Sequence, residues 1–73
     1  MKINQEIIIN KNKYLIFSKC MYKEKYYYYL IDNHNNKKII TINNNVKTIK
    51  RKKLINILKP LFIENIKIHY DIL

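Results

Sequence analysis

Lys13-Tyr14-Leu15-Ile16-Phe17-Ser18-Lys19-Cys20-Met21, then Tyr22-Lys23-Glu24-Lys25, then Tyr26-Tyr27-Tyr28-Tyr29-Leu30-Ile31-Asp32, is the stretch that decides the fold. Two β-prone runs flank a short polar break, which is the pattern of a β-hairpin. Period two splits the first run into Tyr14, Ile16, Ser18 and Cys20 on one face, and Leu15, Phe17, Lys19 and Met21 on the other. The second set is the more apolar, so it is the expected core face. The same period separates Tyr26, Tyr28 and Leu30 from Tyr27, Tyr29 and Ile31. Tyrosine tolerates both burial and a wet edge, so both faces of this strand remain open to packing.

Working outward, the chain has no glycine. Turns with positive φ must therefore use asparagine, the next most tolerant residue. Asparagines cluster at Asn10 and Asn12, at Asn33, Asn35 and Asn36, and at Asn43 to Asn45, and these mark the expected turns. Strands are predicted over about 6–9, 13–21, 25–32, 37–43 and 46–49. The period then changes. Leu54, Ile55, Leu58, Leu61 and Phe62 fall on one helical stripe, predicting a helix over about 51–63. Pro60 lies within it and removes one backbone donor, so a kink or tight last turn is expected there. Residues 64–73 fit an extended or a helical segment. Ile66, Ile68, Tyr70 and Ile72 alternate, and their β-branched character favours the extended form. The predicted fold class is α+β: a small antiparallel β-meander of four to five strands, with one C-terminal helix packed on one face.

Seventy-three residues make a single domain, 1–73, with no visible linker or repeat. Chains of this size bury only about 60% of their unfolded surface, so stability is marginal unless packing is efficient. No apolar run approaches the roughly 20 residues that cross a bilayer, and none resembles a signal-peptide core. Cys20, the lone cysteine, leaves no internal disulfide framework. These features point to the cytoplasm of a bacterial or infected host cell, with no membrane partner.

Fifteen Lys plus Arg against five Asp plus Glu give a net charge of +10. Such a field attracts nucleic acid, anionic lipid or acidic protein surfaces. Codon bias offers a competing source. Ile, Lys, Asn and Tyr all have codons built from A and T alone, and Arg51 is the single arginine. An AT-rich genome therefore accounts for much of the total. Position is more informative. Lys50-Arg51-Lys52-Lys53 stands where the helix would begin, an end that carries positive partial charge and favours anions. Apart from Thr48, no Ser, Thr, Asp or Asn stands at a clear cap position.

The segments Lys13 to Lys19, Tyr22 to Asp32 and Leu54-Ile55-Asn56-Ile57-Leu58-Lys59-Pro60-Leu61-Phe62 resemble a family of short uncharacterised proteins. These come from low-GC Gram-positive bacteria and their phages. The shared pattern is K-Y-L-V-x-S, then Y-x-x-K-x-Y-x-Y-L-I-D, then a helix ending in Leu-Pro-Leu-Phe. The resemblance spans roughly residues 6 to 63 and rests mostly on packing positions. It implies a strand-rich fold with a C-terminal helix, and it carries no assigned functional residue. Members of that family usually place acidic residues before the helix. Here Lys50 to Lys53 stand instead.

No catalytic pattern emerges. Cys20 with His34 or His69 lacks any spacing that fixes a nucleophile beside a base, and a buried inert thiol is the simpler expectation. One Cys and two distant His do not make a metal site. The expectation is a non-enzymatic basic interaction module without cofactors, binding nucleic acid or a nucleic-acid-containing complex. Lys47, Lys50, Arg51, Lys52 and Lys53 are its candidate phosphate contacts, and Tyr26 or Tyr28 its candidate stacking ring. The alternative is a phage or mobile-element inhibitor, anti-CRISPR-like, that blocks a host nuclease or defence complex by contact between proteins. In that case an exposed strand edge or the tail would pair with a host protein, or with a second copy.

Overall fold

The computed structural model describes the backbone of residues 2–71 and the side chains of residues 2–67. Five antiparallel strands follow in chain order: β1 (Glu6–Ile9), β2 (Asn12–Tyr22), β3 (Lys25–Ile31), β4 (Lys37–Asn43) and β5 (Asn45–Thr48). One helix, α1 (Lys52–Asp71), follows them. Each strand pairs with its neighbour in sequence, so the sheet is a curled meander, β1-β2-β3-β4-β5.

The turns show how a glycine-free chain closes hairpins. Asn10 and Lys11 connect β1 to β2 with φ of 50° and 69°. Lys23 and Glu24 connect β2 to β3 with φ of 50° and 66°. Two successive positive φ values are the mark of a type I′ turn, whose twist matches the strands. Lys23 and Glu24 are poor residues for it, at a cost of about 1 kcal/mol each. Asn44 (φ 65°) makes the bend between the paired residues Asn43 and Asn45. The β3–β4 loop is built on Asp32. Its Oδ1 accepts the amides of His34 and Asn36 at 2.8 Å each, and Oδ2 accepts Asn36 Nδ2 at 3.1 Å. Desolvation pushes this carboxyl up, but the bonds from the Asn36 amide, the Asn36 side chain and the His34 amide outweigh it. The net pKa is lowered.

Both faces of the sheet carry a core. On one, Cys20, Tyr27 and Ile39 pack beneath Leu58 and Phe62 of α1. Rings of Phe17, Tyr29 and Phe62 follow one another at centroid distances of 6.2 and 5.5 Å. On the other, Tyr14, Ile16, Tyr28, Leu30 and Ile40 form a second cluster with Ile7 and Ile9 of β1 against it. Among the described residues no helix covers this side. The curl of the sheet and the β1 side chains bury it, which is how Ile16, Leu30 and Ile40 reach zero exposure.

The buried residues of β2 differ from the expected core face. Tyr14, Ile16, Ser18 and Cys20 are buried; Leu15, Phe17 and Lys19 are half-buried and Met21 is exposed. The cause is a bulge. Ile16 pairs with Leu30 and Ser18 with Tyr29, leaving Phe17 as an extra residue. A bulge shifts the alternation by one position. Tyr14 and Ile16 therefore face the curled side, while Ser18 and Cys20 face α1. The Ser18 hydroxyl donates to the Phe62 carbonyl at 3.0 Å, and Asn65 Nδ2 donates to the Lys19 carbonyl at 2.6 Å. These two bonds tie α1 to β2 at the bulge.

Residues 64–71, for which the extended form was favoured, belong to α1 instead, so the helix runs well past residue 63. Ile66 lies on the same helical stripe as Phe62, at i+4, and is half-buried. Packing of that stripe decides between the two periods. Residues 72 and 73 lie outside the described residues. Pro60 sits inside α1 without ending it. Its missing donor would have bonded the Asn56 carbonyl, and both residues are exposed, so water can serve that oxygen.

Candidate nucleic-acid interface

β5 ends at Thr48, and Ile49 donates its amide to the Ile39 carbonyl at 2.8 Å. That bond holds the chain beside β4 until the helix begins. The Ile55 amide donates to the Arg51 carbonyl at 3.0 Å, so Arg51 occupies the cap position, and Lys52 and Lys53 are the first two helical residues. The first turn contains no acidic residue. Among the described residues, no side chain hydrogen-bonds to the first amides of α1. The helix thus begins with three cations around free donors, which repel one another and attract anions.

This segment borders an open groove of about 1000 Å³ whose other walls are β3, β4 and β5. Lys47, Lys50, Arg51, Tyr26 and Tyr28 all line it, and Lys25 joins them from the β2–β3 hairpin. The fold therefore gathers five of the seven candidate residues, from three separate segments, around one depression. Lys52 and Lys53 are exposed but do not line the groove. Glu24 is the one carboxylate at its border among the described residues. Lys47, Lys50 and Arg51 are all exposed, so their charges remain hydrated and free to meet a phosphate.

The two candidate tyrosines differ. Tyr26 is half exposed, whereas Tyr28 belongs to the curled-side cluster with Leu30 and Ile40. A ring packed in that core presents no face to a base. Tyr28 is therefore a core residue, and Tyr26, half exposed on the same face, is turned away from Lys25 and Lys47, which pair with Tyr22 and Thr41 on the face beneath α1. Alternation on one strand separates Tyr26 from Tyr27, yet Tyr26 and Tyr28 share a face; only the curl distinguishes them. Sequence reasoning also passed over Met21, Ile42 and Val46, which are exposed beside Tyr26. A signal was present: Ile42 and Val46 flank the Asn43–Asn45 turn, and Met21 opposes Tyr26 across the hairpin.

The nucleophile candidate is not assembled. Cys20 is buried, and desolvation pushes its thiol up to about 11, the reverse of an activated thiolate. His34 lies in the loop after Ile31, and Ile31 pairs with Leu15, five residues along β2 from Cys20. At about 3.3 Å per residue that is roughly 16 Å of strand. The side chain of His69 lies outside the described residues. Among the described residues, no three His, Cys, Asp or Glu side chains group as metal ligands, and no helix is long and apolar enough to cross a membrane. Comparison with family models, curated proteins and solved structures finds no match to this chain.

Proposed function

We propose that this chain is a non-enzymatic module that binds nucleic acid, or a complex containing it, through the basic groove. The observation that carries this reading is the convergence of Lys25, Lys47, Lys50 and Arg51 on one open depression with a single carboxylate at its border. Codon bias scatters lysines along a chain; it gives no reason for them to meet in space. Lys52 and Lys53 extend the positive surface onto α1. The contacts are to phosphate, so recognition is electrostatic and tolerant of sequence. Its setting would be the cytoplasm of a bacterium or of an infected cell.

The test is a salt titration of binding to DNA and RNA. Four phosphate contacts predict a log K against log salt slope of about −3 to −4. Replacing Lys47, Lys50 and Arg51 with Gln should flatten that slope and weaken binding much more than neutralising Lys2, Lys11 and Lys67. Equal losses from both sets would mean that only bulk charge matters. No binding to either nucleic acid at low salt overturns the reading.

A second reading has one observation of its own. Among the described residues β5 pairs with β4 alone, so its outer edge can accept a strand from another protein or from a second copy. A phage or mobile-element inhibitor of a host nuclease or defence complex would use that edge. The tail, being helical through Asp71, is not a strand donor in this structure. A host protein retained after nuclease treatment of a pull-down favours this reading over the first.

A further inference from the structure

The side-chain bonds that hold α1 lie over β2, from Ser18 to the Phe62 carbonyl and from Asn65 to the Lys19 carbonyl. Toward the β3–β4 loop the helix and the sheet part. An open depression of about 610 Å³ lies there, within the size range of ligand sites. Phe17, Tyr29 and Ile31 form its sheet wall, and Phe62, Ile63 and Ile66 form its helix wall. Positions 59, 62, 63 and 66 make one helical stripe, so Lys59 continues the helix wall. Lys37 pairs with Ile31 across β3 and β4, and directly paired residues share a face, so Lys37 continues the sheet wall. A second depression of about 370 Å³ adjoins the first, and Tyr29, Lys37 and Lys59 border both. The two lysines therefore stand where the depressions meet, one from each wall.

Charge and shape select the occupant. Among the described residues, no Asp or Glu lines either depression, and neither lysine has an ion-pair partner. Asp32 follows Ile31, but its oxygens are taken by His34 and Asn36. An anionic group is favoured beside the lysines. A second copy of the chain would bring another +10 against this one. A peptide strand fits poorly. β3 is paired on both sides by β2 and β4, so it offers no free backbone edge to an incoming strand. A flat aromatic anion fits poorly too. The successive rings of Phe17, Tyr29 and Phe62 are tilted by 51° and 58°, so neighbours make no parallel slot. A flexible aliphatic chain follows such a wall and brings no polar atom to leave unpaired. From Lys59 to Ile66, α1 offers that chain about 10 Å of wall. Two ammonium groups match the two oxygens of one carboxylate. Phosphate is best held by guanidinium forks or helix N-termini, and neither lines this cavity.

We infer that this cavity is a binding site for a fatty acid. The carboxylate sits between Lys37 and Lys59, and the acyl chain lies between the sheet and helix walls toward Ile66. Binding takes from water the apolar surface of Ile63, which is 53% exposed in the empty protein. The site shares no lining residue with the basic groove, so it stands independently of the nucleic-acid reading.

The test is calorimetric titration of the full chain with octanoate, decanoate and dodecanoate, each below its micelle concentration. Affinity should rise about two-fold with each added methylene, half the gain of complete burial because the depression is open. Decanoate should bind about five-fold more tightly than decanol, the worth of two exposed ion pairs. A Lys37→Gln, Lys59→Gln variant, checked for an unchanged fold by circular dichroism, should lose that preference and bind decanol as before. A Lys2→Gln, Lys11→Gln variant removes the same charge and should keep the preference. In the parent, decanoate should shift the methyl resonances of Ile31, Ile63 and Ile66. Equal losses from the two variants, or methyl shifts confined to other isoleucines, overturn the site. Tighter binding of decyl phosphate than of decanoate overturns the choice of head group. Should the first variant fail to fold, the parent's methyl shifts decide. No binding of any of the three fatty acids overturns the inference and leaves the nucleic-acid reading untouched.

Discussion

The two faces of this sheet are closed by different means. One is covered by α1, whose Leu58 and Phe62 complete a core with Cys20, Tyr27 and Ile39. The other is closed by curvature alone, with Ile7 and Ile9 of β1 folded toward Tyr14, Ile16, Tyr28, Leu30 and Ile40. A helix laid across a sheet covers a broad area evenly. A curl covers only where the strands approach one another, and it leaves the hairpin ends of β2 to β5 open. That is where Met21, Tyr26, Ile42 and Val46 are exposed. The difference explains why exposed apolar side chains collect at the ends of the strands, while α1 contributes its cationic start.

The sharpest way to break this comparison is to remove one large side chain from each core. Phe62→Ala on the helix side should cost about 3–5 kcal/mol, and Ile40→Ala on the curled side about 2–5 kcal/mol. Denaturant melts measure both. Despite the different closures, each variant should loosen the whole molecule. β3 is the shared wall: Tyr27 and Tyr29 face α1, while Tyr28 and Leu30 face the curl. Amide exchange in β3 and α1 should therefore rise together in Phe62→Ala. Faster exchange in α1 alone would show that the two cores are separate units.

Cys20 gives a gentler probe of the helix-covered side. Burial pushes its thiol up to about 11 from an ordinary value of 9.0. Once unfolded, the thiol ionises near its ordinary value; folded, it stays protonated. Its contribution to stability is thus fully present below about pH 9 and is lost as pH rises toward 11. The integrated loss is at most about 2–3 kcal/mol. Tyrosines and lysines titrate in the same range, so the comparison is with Cys20→Ala. The difference in stability between parent and variant should shrink from pH 8 to pH 11. A difference independent of pH would mean that water reaches the thiol beneath α1.

Much of this architecture was legible in the chain, and the failures have definite causes. Alternation and asparagine turns located the strands, since without glycine the bends had few residues to use. The facing of β2 was misread because nothing in Ile16-Phe17-Ser18 announces a bulge. Phe17 is as good a strand residue as any, and the bulge that extrudes it brings Ser18 to the Phe62 carbonyl of α1. The end of the helix was misread because Ile66, Ile68 and Tyr70 fit two periods at once, and tertiary packing of Ile66 decided between them. Of the candidate site, the cations depended only on where the chain turned after β5. The separation of Tyr26 from Tyr28 depended on curvature, which residue types on a single strand do not encode.

The smallest expected effect carries the most information about the binding surface. Arg51 caps α1 with its backbone carbonyl, and no described side chain serves the amides that follow. In Arg51→Asp the new carboxylate can accept the amide of Lys53 or Leu54, two or three positions on. It also places negative charge at the positive end of the helix and beside two lysines. The gain should be about 1 kcal/mol, or about 5 °C in the melting temperature of a domain this size. The same substitution removes a cation from the groove and inserts a repulsive charge, so affinity for DNA should fall more than for Arg51→Gln. A rise in stability with a loss of binding would identify this helix start as a place where folding and anion binding compete. A fall in stability would mean that Arg51 supports the fold itself, and the cationic start would then need no partner to explain it.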